Sequence, residues 1–332
     1  MSTSAAPPVP TSERTVAVLA GGLSHERDVS LRSGRRIATV LRDAGATVDE
    51  WDTDAALLGR LASTRPDAVV IALHGGEGEN GAVQSVLELM GVPFVGTQGR
   101  ACRRAHDKPS AKAELVRAGI ATPEWVALPH TTFRELGAAA VLDALVARLG
   151  LPLMLKPDQG GSALGAQVVR DASELPSAMV GALAYSETVL VERFVEGVEV
   201  AVSVVEDGDG PVALPAVEVV PESGVYDYTA RYTAGLTRFH CPARLDAAVA
   251  RRVAETAVAA HRALGLRDLS RTDAIVDADG GVAVLEVNVS PGLTETSLLP
   301  RAIEAAGRDL GEVFGRLVDR AAFRDVELSP RP

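Results

Sequence analysis

Apolar and polar positions alternate along this chain in two rhythms. From residue 15 to about 96, short apolar runs (TVAVLA, DAVVIALHG, VPFVG) are separated by stretches with helical spacing (ERDVSLRSGRRIATVLRDAG, AVQSVLELMG). Strands that alternate with helices imply right-handed crossovers and a parallel sheet. From about 97 to 192, two helical stretches, SAKAELVRAG and FRELGAAAVLDALVARLG, lead into LPLMLKP, a glycine-rich turn, AQVVR, another helix and TVLVERFV. That order predicts an α+β unit with a flexible turn between strands. From about 193 to 322 come the runs VEVAVSVVED and VALPAVEVV, a tyrosine-rich segment, the long helix LDAAVARRVAETAVAAHRALG, paired strands in TDAIVDADGGVAVLEVN and two closing helices. The predicted architecture is therefore α/β (α+β): a parallel-sheet βαβ unit over 14–96, a central α+β unit over 97–192 and a mixed-sheet unit over 193–322, between tails at 1–13 and 323–332.

Length and composition narrow the function classes. A chain of 332 residues exceeds one ordinary core, so clefts between units are expected. A net charge of −11 argues against a surface built for nucleic acid or anionic lipid, and small molecules are the expected partners. Two cysteines, Cys102 and Cys241, cannot make a disulfide framework or a four-cysteine zinc site, which fits a reduced, cytoplasmic setting. The opening MSTSAAPPVPTSER lacks a basic start before an apolar run, and no stretch approaches eighteen uninterrupted apolar residues.

Three glycine-rich loops carry candidate chemistry. GGEGENG contains a literal G-x-G-x-x-G at Gly76, Gly78 and Gly81. Glu77 and Glu79 put carboxylates where a pyrophosphate would sit, and no acidic ribose ligand follows about twenty residues on, so a dinucleotide site is disfavoured against a plain turn. After TVAVLA, Gly21 and Gly22 are followed by SHERD, where Glu26 or Asp28 suits a cationic ligand or simply the start of a helix. DQGGSALG at 158–165 follows Lys156 at a strand end; a lysine with exposed backbone N–H groups makes a sensible phosphate clamp, against an ordinary hairpin.

The strongest local signal is TDAIVDADGGVAVLEVNVSPG. Asp277, Asp279 and Gly280 read as the turn of a hairpin, and alternation puts Asp273 on one strand with Glu286 and Asn288 on one face of the next. Two carboxylates and an amide facing one way suit a hard cation such as Mg²⁺; the alternative is a solvated polar face. VYDYTARYTAG, residues 225–235, holds three of the four tyrosines in a chain with only 4% aromatic residues, which by itself reads as a buried aromatic cluster.

Taken in order, AGGLSHERDVSLRSG, ALHGGEGENGAVQSVLELMGVPFVG, DK at 107–108, LPLMLKPDQGGSALG, VLVERFVEGVE, VYDYTARY, RTDAIVD and LEVNVSPGLTETSLLP resemble the D-alanine–D-alanine ligases of the ATP-grasp superfamily, over nearly everything from 15 to 322. The resemblance implies a three-domain ATP-grasp fold and the ATP-dependent joining of two D-alanines through an acyl phosphate, for peptidoglycan precursors. It implies that Lys108, Lys156 and Arg231 meet phosphate, that Glu192 to Val195 frames adenine and that Glu199 holds ribose. Asp273, Glu286 and Asn288 would hold Mg²⁺, with Mn²⁺ as an alternative and a monovalent cation as an addition. Glu26 would pair with the first ammonium, with His74 nearby. Arg271 and the Gly292 backbone would stabilise an oxyanion, and Ser297 with the Leu298 N–H would hold the second carboxylate. Ser297 could instead act as a simple N-cap.

The tyrosine segment resembles the family's closing loop, with Ser162, Tyr232 and Glu26 joined by hydrogen bonds, and Tyr232 favours an amine acceptor over D-lactate. A homodimer is expected on the same ground. Departures are Arg231 in place of a usual lysine, Ala163 in place of a serine and Thr272 in place of an aliphatic residue. They leave open a ligase for a related amino acid in a specialised pathway, or a weakly catalytic ATP-binding or peptide-binding homologue.

Overall fold

The computed structural model describes residues 13–324 except residue 234; the expected tails lie almost wholly outside that range. The first sheet is built from β1 (Thr15–Leu19), β2 (Thr47–Trp51), β3 (Ala68–Ile71) and β4 (Phe94–Val95), all parallel in the order β2-β1-β3-β4. Between them run α1 (Arg27–Asp43), α2 (Leu57–Thr64) and α3 (Ala82–Met90). Helix α1 turns Ser30, Ser33, Gly34, Ile37, Ala38 and Leu41 inward, the three-and-four spacing of an amphipathic helix. The chain steps from β1 to β2 on one side and returns to β3 on the other. The loops after β1 and β3 therefore open a crevice at the carboxyl ends of the strands, where parallel sheets place ligands.

Helices α4 (Gly99–His106) and α5 (Lys108–Arg117) follow. Asp107 accepts a hydrogen bond from the Ser110 N–H and caps α5, so Lys108 stands at the first position of the helix. The second sheet is antiparallel, in the order β5-β8-β6-β7, from β5 (Trp125–Pro129), β6 (Leu153–Pro157), β7 (Gln167–Val169) and β8 (Thr188–Arg193). Helices α6 (His130–Leu136), α7 (Ala138–Leu149) and α8 (Leu175–Leu183) belong to this unit, and α7 and α8 supply Leu145, Leu149, Leu175 and Ala178 to its core. The single helix expected over FRELGAAAVLDALVARLG is two, because Gly137 has φ 85°, outside the helical region.

The third sheet runs β12-β11-β9-β13-β14 with β10 on β9, from β9 (Val198–Val205), β10 (Val212–Ala213), β11 (Val217–Pro221), β12 (Thr237–His240), β13 (Leu269–Val276) and β14 (Val282–Asn288). All its pairings are antiparallel, so the mixed sheet expected over 193–322 is corrected to an antiparallel one: short returns such as 277–281 reverse the chain between partner strands. Helix α9 (Tyr228–Tyr232) is a short helix in the tyrosine segment, capped by the Asp227 carboxylate. Helix α10 (Ala247–Ala263) covers one face of the sheet through Val249, Val253 and Ala257 against Val200, Val202 and Val204. On the other face Ala201, Val205 and Val217 share a core with α11 (Leu298–Ala305) and α12 (Leu310–Ala322), and this core continues into Val16, Val18 and Val70 of the parallel sheet. Helices α4 and α5, grouped by sequence order with the central unit, pack through Cys102, Ala105 and Leu115 against Val284 and Val287 of β14 and Leu264. Three sheets thus meet around one central space.

Candidate active site

Two cavities occupy that space. One, of about 520 Å³, lies between the second and third sheets, lined by Lys156, Glu192, Val195, Glu199 and Asp273 with the apolar side chains of Met154, Phe194, Ile275 and Leu285. The other, of about 610 Å³, opens against the parallel sheet and is lined by Glu26, His74, Ser162, Arg271, Gly292 and Ser297. They share one wall: Lys108, Gly160, Gly161, Tyr226, Arg231 and Glu286 line both.

The floor of both cavities is the β13–β14 pair. Asp273 faces Glu286 and Arg271 faces Asn288 in register, as alternation along the hairpin predicts. Arg271 grips Asp273 with two parallel bonds, Nε to Oδ1 and Nη2 to Oδ2, each 2.7 Å. Sequence pattern could put these two on one face but could not show that they pair. Glu286 lies 3.9 Å from the Lys108 ammonium. Burial opposes its charge, but Lys108, Lys156, Arg231 and Arg271 prevail and hold its carboxyl down to about 2. Asn288 accepts from the Ser290 N–H at 2.7 Å, which fixes its amide oxygen.

Among the described residues no group of three or more His, Cys, Asp or Glu side chains is arranged to hold a metal. A cation at Asp273 and Glu286 would need the Asn288 oxygen as its third protein donor, and the set is all hard oxygen, the chemistry of Mg²⁺. The Arg271 fork takes one bond from each Asp273 oxygen and leaves further lone pairs, so the residues present fit such an ion.

Lys108 donates to the Gly160 carbonyl at 2.8 Å, which ties the start of α5 to the glycine loop. Lys156 is largely buried at the cavity wall and pairs with Glu192 at 2.6 Å. Desolvation works against its charge, but Glu192 and Glu286 outweigh it and raise the ammonium above its ordinary value. Glu199, opposite Ile275 in the β9–β13 pair, is pushed up to about 7 by burial, against the pull of Arg231. The Arg231 guanidinium lies 4.3 Å from the Tyr226 ring centre and donates to the Tyr226 carbonyl at 3.4 Å, while Tyr226 meets Phe239 edge-on at 6.1 Å. A lysine has no planar fork for both interactions.

In the second cavity, the Ser162 hydroxyl donates to Glu26 Oε1. With that proton committed, the Tyr232 hydroxyl supplies the remaining one, 2.5 Å from Ser162 Oγ and 3.3 Å from the same carboxylate oxygen. Ser162 and Ala163 both adopt left-handed φ (56° and 55°). Such a backbone costs about 1–2 kcal/mol per residue in an L-amino acid, offset here by contacts that fix the serine in the site. Glu26 Oε2 is buried and makes no hydrogen bond among the described residues, so a cationic ligand would meet a ready acceptor. Gly75, with φ 68°, allows this approach: a Cβ there would lie 2.4 Å from Glu26 Oε2. Asp28, the other acid considered beside this loop, is exposed in the first turn of α1.

His74 is buried with Nε2 2.8 Å from Ser33 Oγ and Nδ1 3.1 Å from the Ser290 carbonyl. A carbonyl can only accept, so Nδ1 carries the proton and Nε2 accepts from Ser33; burial lowers the imidazole's affinity for a second proton. Ser297 begins α11 without capping it: its hydroxyl accepts from the Thr294 N–H at 3.1 Å and pairs with Thr294 Oγ1 at 2.9 Å. The Ser297 side chain therefore does not cap α11, and Ser297 and Leu298 at its start line the cavity. A Cβ on Gly292 would lie 2.7 Å from Ser297 Oγ, so glycine is what lets the two meet.

In the sequence Glu79 speaks only against a dinucleotide site. The structure buries it in the second cavity, where desolvation, then repulsion from Glu26, raises its carboxyl to about 7. The sign follows from the unfolded value near 4.5: the native state holds a proton that the unfolded chain has released, so stability from this group is full below about 4.5 and is lost as pH rises through 7. Glu79→Gln is expected to stabilise the ligand-free protein relative to the unsubstituted chain, by a margin that grows with pH across that window, at most about 1.4 kcal/mol per pH unit. Thermal melts of both proteins between pH 5 and 8 check this, and a margin independent of pH would remove the buried charge from the account.

Residues 115–319 match the family described as "D-ala D-ala ligase C-terminus". A D-alanine–D-alanine ligase of Anaeromyxobacter sp. (strain Fw109-5) is 42% identical over 311 residues, covering 94% of this chain and 98% of the relative. The crystal structure of D-alanine–D-alanine ligase from Bacillus anthracis superposes with a TM-score of 0.80 at 29% identity over 94% of this chain and 98% of that one; the same enzyme complexed with ATP gives 0.77 at 27%, again over 94% and 98%. With the match running through all three sheets and both cavities, the chain belongs to the D-alanine–D-alanine ligase family and has its ATP-grasp fold.

Proposed function

We propose that this protein joins two D-alanine molecules to D-alanyl-D-alanine, converting ATP to ADP and phosphate, and so supplies peptidoglycan precursors. The observation that carries the reading is the shared wall of the two cavities. A nucleotide in the first and a carboxylate in the second would meet along this wall, whose charged side chains are Lys108, Arg231 and Glu286, two cations beside a single acid.

In this reading adenine lies between Met154, Ile275 and Leu285 beside the Glu192-to-Val195 strand end, Glu199 holds ribose, and Lys108, Lys156 and Arg231 meet phosphate. The free Oε2 of Glu26 pairs with the first ammonium. A carboxylate is a poor acyl donor, so its oxygen first takes the terminal phosphoryl group of ATP. The amine of the second amino acid then attacks the acyl carbon, and phosphate leaves with the carboxylate oxygen. Arg271 and the Gly292 N–H would stabilise the oxyanion formed in that attack. Ser297 and the Leu298 N–H at the start of α11 would hold the second carboxylate, with His74 fixing the adjoining backbone. Asp273, Glu286 and Asn288 would hold Mg²⁺, or Mn²⁺ in its place, which when bound offsets phosphate charge during transfer. A monovalent cation is a further addition implied by the family. No helix among the described residues is long and apolar enough to cross a membrane. On the family resemblance we take the enzyme to act in the cytoplasm as a homodimer. The units 14–96, 97–192 and 193–322 are the proposed domains.

Closing the tyrosine segment over the site keeps water from the acyl phosphate. Tyr232→Phe removes the proton that reaches Ser162 and Glu26. It is expected to lower kcat by roughly tenfold or more, or to let D-lactate compete, with ATP binding intact. Steady-state kinetics with both acceptors check this, and unchanged constants would take Tyr232 out of the site.

Phosphate release with ATP, Mg²⁺ and a panel of D- and L-amino acids tests the reading as a whole. D-Alanine alone should support turnover. Robust turnover with another amino acid and none with D-alanine would overturn the substrate and leave a ligase of altered specificity.

A further inference from the structure

Behind the nucleotide cavity lies a buried chain of charges that the proposed reaction does not use directly. Lys112, one turn after Lys108 on α5, is 1% exposed and does not line either cavity. Its ammonium lies 2.5 Å from Glu192 Oε1, while Lys156 lies 2.6 Å from the other oxygen, Oε2. Lys112 also donates to the Thr122 hydroxyl, which donates in turn to the Val284 carbonyl at 2.7 Å, two residues before Glu286 on β14. One buried ammonium thus links the helix that carries Lys108, the strands that carry Glu192 and Lys156, and the strand that carries Glu286.

We infer that Lys112 is a positioning residue for the nucleotide: by holding one oxygen of Glu192 it turns the other toward Lys156 and fixes the Lys156 ammonium where phosphate arrives. The inference rests on the assignment of the first cavity to ATP.

The physical argument is one of geometry and charge. Glu192 without Lys112 would have a single cation for two buried oxygens, and it would draw the Lys156 ammonium into a symmetric contact, away from the cavity. A long, flexible lysine stem offers no resistance to that movement. Desolvation lowers the Lys112 ammonium to about 8, which Glu192 opposes, so at neutral pH it still carries its charge. Burial of so hydrophilic a side chain for packing alone would be wasteful, since an apolar side chain of the same length fills the space as well.

The test compares the whole enzyme with Lys112→Met, which keeps the length of the stem and removes the charge, and with Thr122→Val, which cuts the tie to β14 and keeps the ion pair. Lys112→Met is expected to raise KM for ATP by roughly tenfold or more, with KM for D-alanine within about twofold of the unsubstituted protein. Thr122→Val is expected to leave both constants nearly unchanged. A folded Lys112→Met with unaltered KM for ATP, or equal rises in both constants, or the same response in Thr122→Val, would overturn the inference and leave Lys112 as structural. If Lys112→Met does not fold, Lys112→Gln gives the same readings, because it can still donate to Thr122. The unsubstituted enzyme is measured alongside: if it fails to consume ATP with D-alanine, the function has failed; if it succeeds and the variants do not differ, only the inference has.

Discussion

Glu286→Gln is expected to lower turnover by roughly 10³-fold or more while the protein remains folded. Glu286 stands in the wall common to both cavities and is the acid on which Lys108, Lys156, Arg231 and Arg271 converge. An amide keeps the volume but loses the charge that a divalent ion needs and that balances four cations. Stability should respond in a defined direction. The Glu286 carboxyl is held down to about 2 from an ordinary 4.5, so its contribution is present above 4.5 and is lost as pH falls through 2. At neutral pH the variant should therefore melt at a lower temperature than the unsubstituted protein, in one cooperative transition, and the gap should close on acidification. Near-normal turnover in a folded variant would refute the placement of Glu286 at the reacting phosphate.

Arg271→Lys is expected to reduce kcat by roughly 10²–10³-fold with a smaller effect on KM for ATP. The guanidinium makes two 2.7 Å bonds to Asp273 and lines the second cavity, so it has one side for the carboxylate and another for the proposed oxyanion. A lysine ammonium can serve only one of these. Removing the fork also frees Asp273 to rotate, which disturbs the proposed cation set at the same time. Steady-state kinetics with saturating ATP read the effect, and a variant that lost only ATP affinity would place Arg271 at the nucleotide and not at the acyl carbon.

Much of this site could be read from the chain. Strict alternation in RTDAIVD and LEVNV put Arg271, Asp273, Glu286 and Asn288 on one face, and the register of β13 against β14 bears that geometry out. The parallel sheet followed from apolar runs of strand length separated by helical spacing. What sequence could not show depends on rotamers and on contacts between distant elements. The Arg271–Asp273 fork is a choice of side-chain direction. Lys112 reads as one more charged position on a helix until β8 brings Glu192 beside it, although its spacing of four from Lys108 was a usable signal. Strand β5, WVALP, is short and bounded by prolines, and it becomes a strand only by pairing with β8. Ser297 looked equally suited to capping a helix or holding a ligand. Thr294, three residues earlier, takes the hydroxyl and decides against the cap.

The central claim, that a carboxylate is activated as an acyl phosphate before the amine attacks, is tested most directly by isotope transfer. The enzyme is supplied with ATP, Mg²⁺ and D-alanine labelled with ¹⁸O in both carboxylate oxygens, and the products are analysed by mass spectrometry. The account predicts ADP, D-alanyl-D-alanine with one labelled oxygen in its peptide carbonyl, and released phosphate with one labelled oxygen derived from the carboxylate. Dipeptide formed with unlabelled phosphate, or with AMP and pyrophosphate in place of ADP, would contradict it.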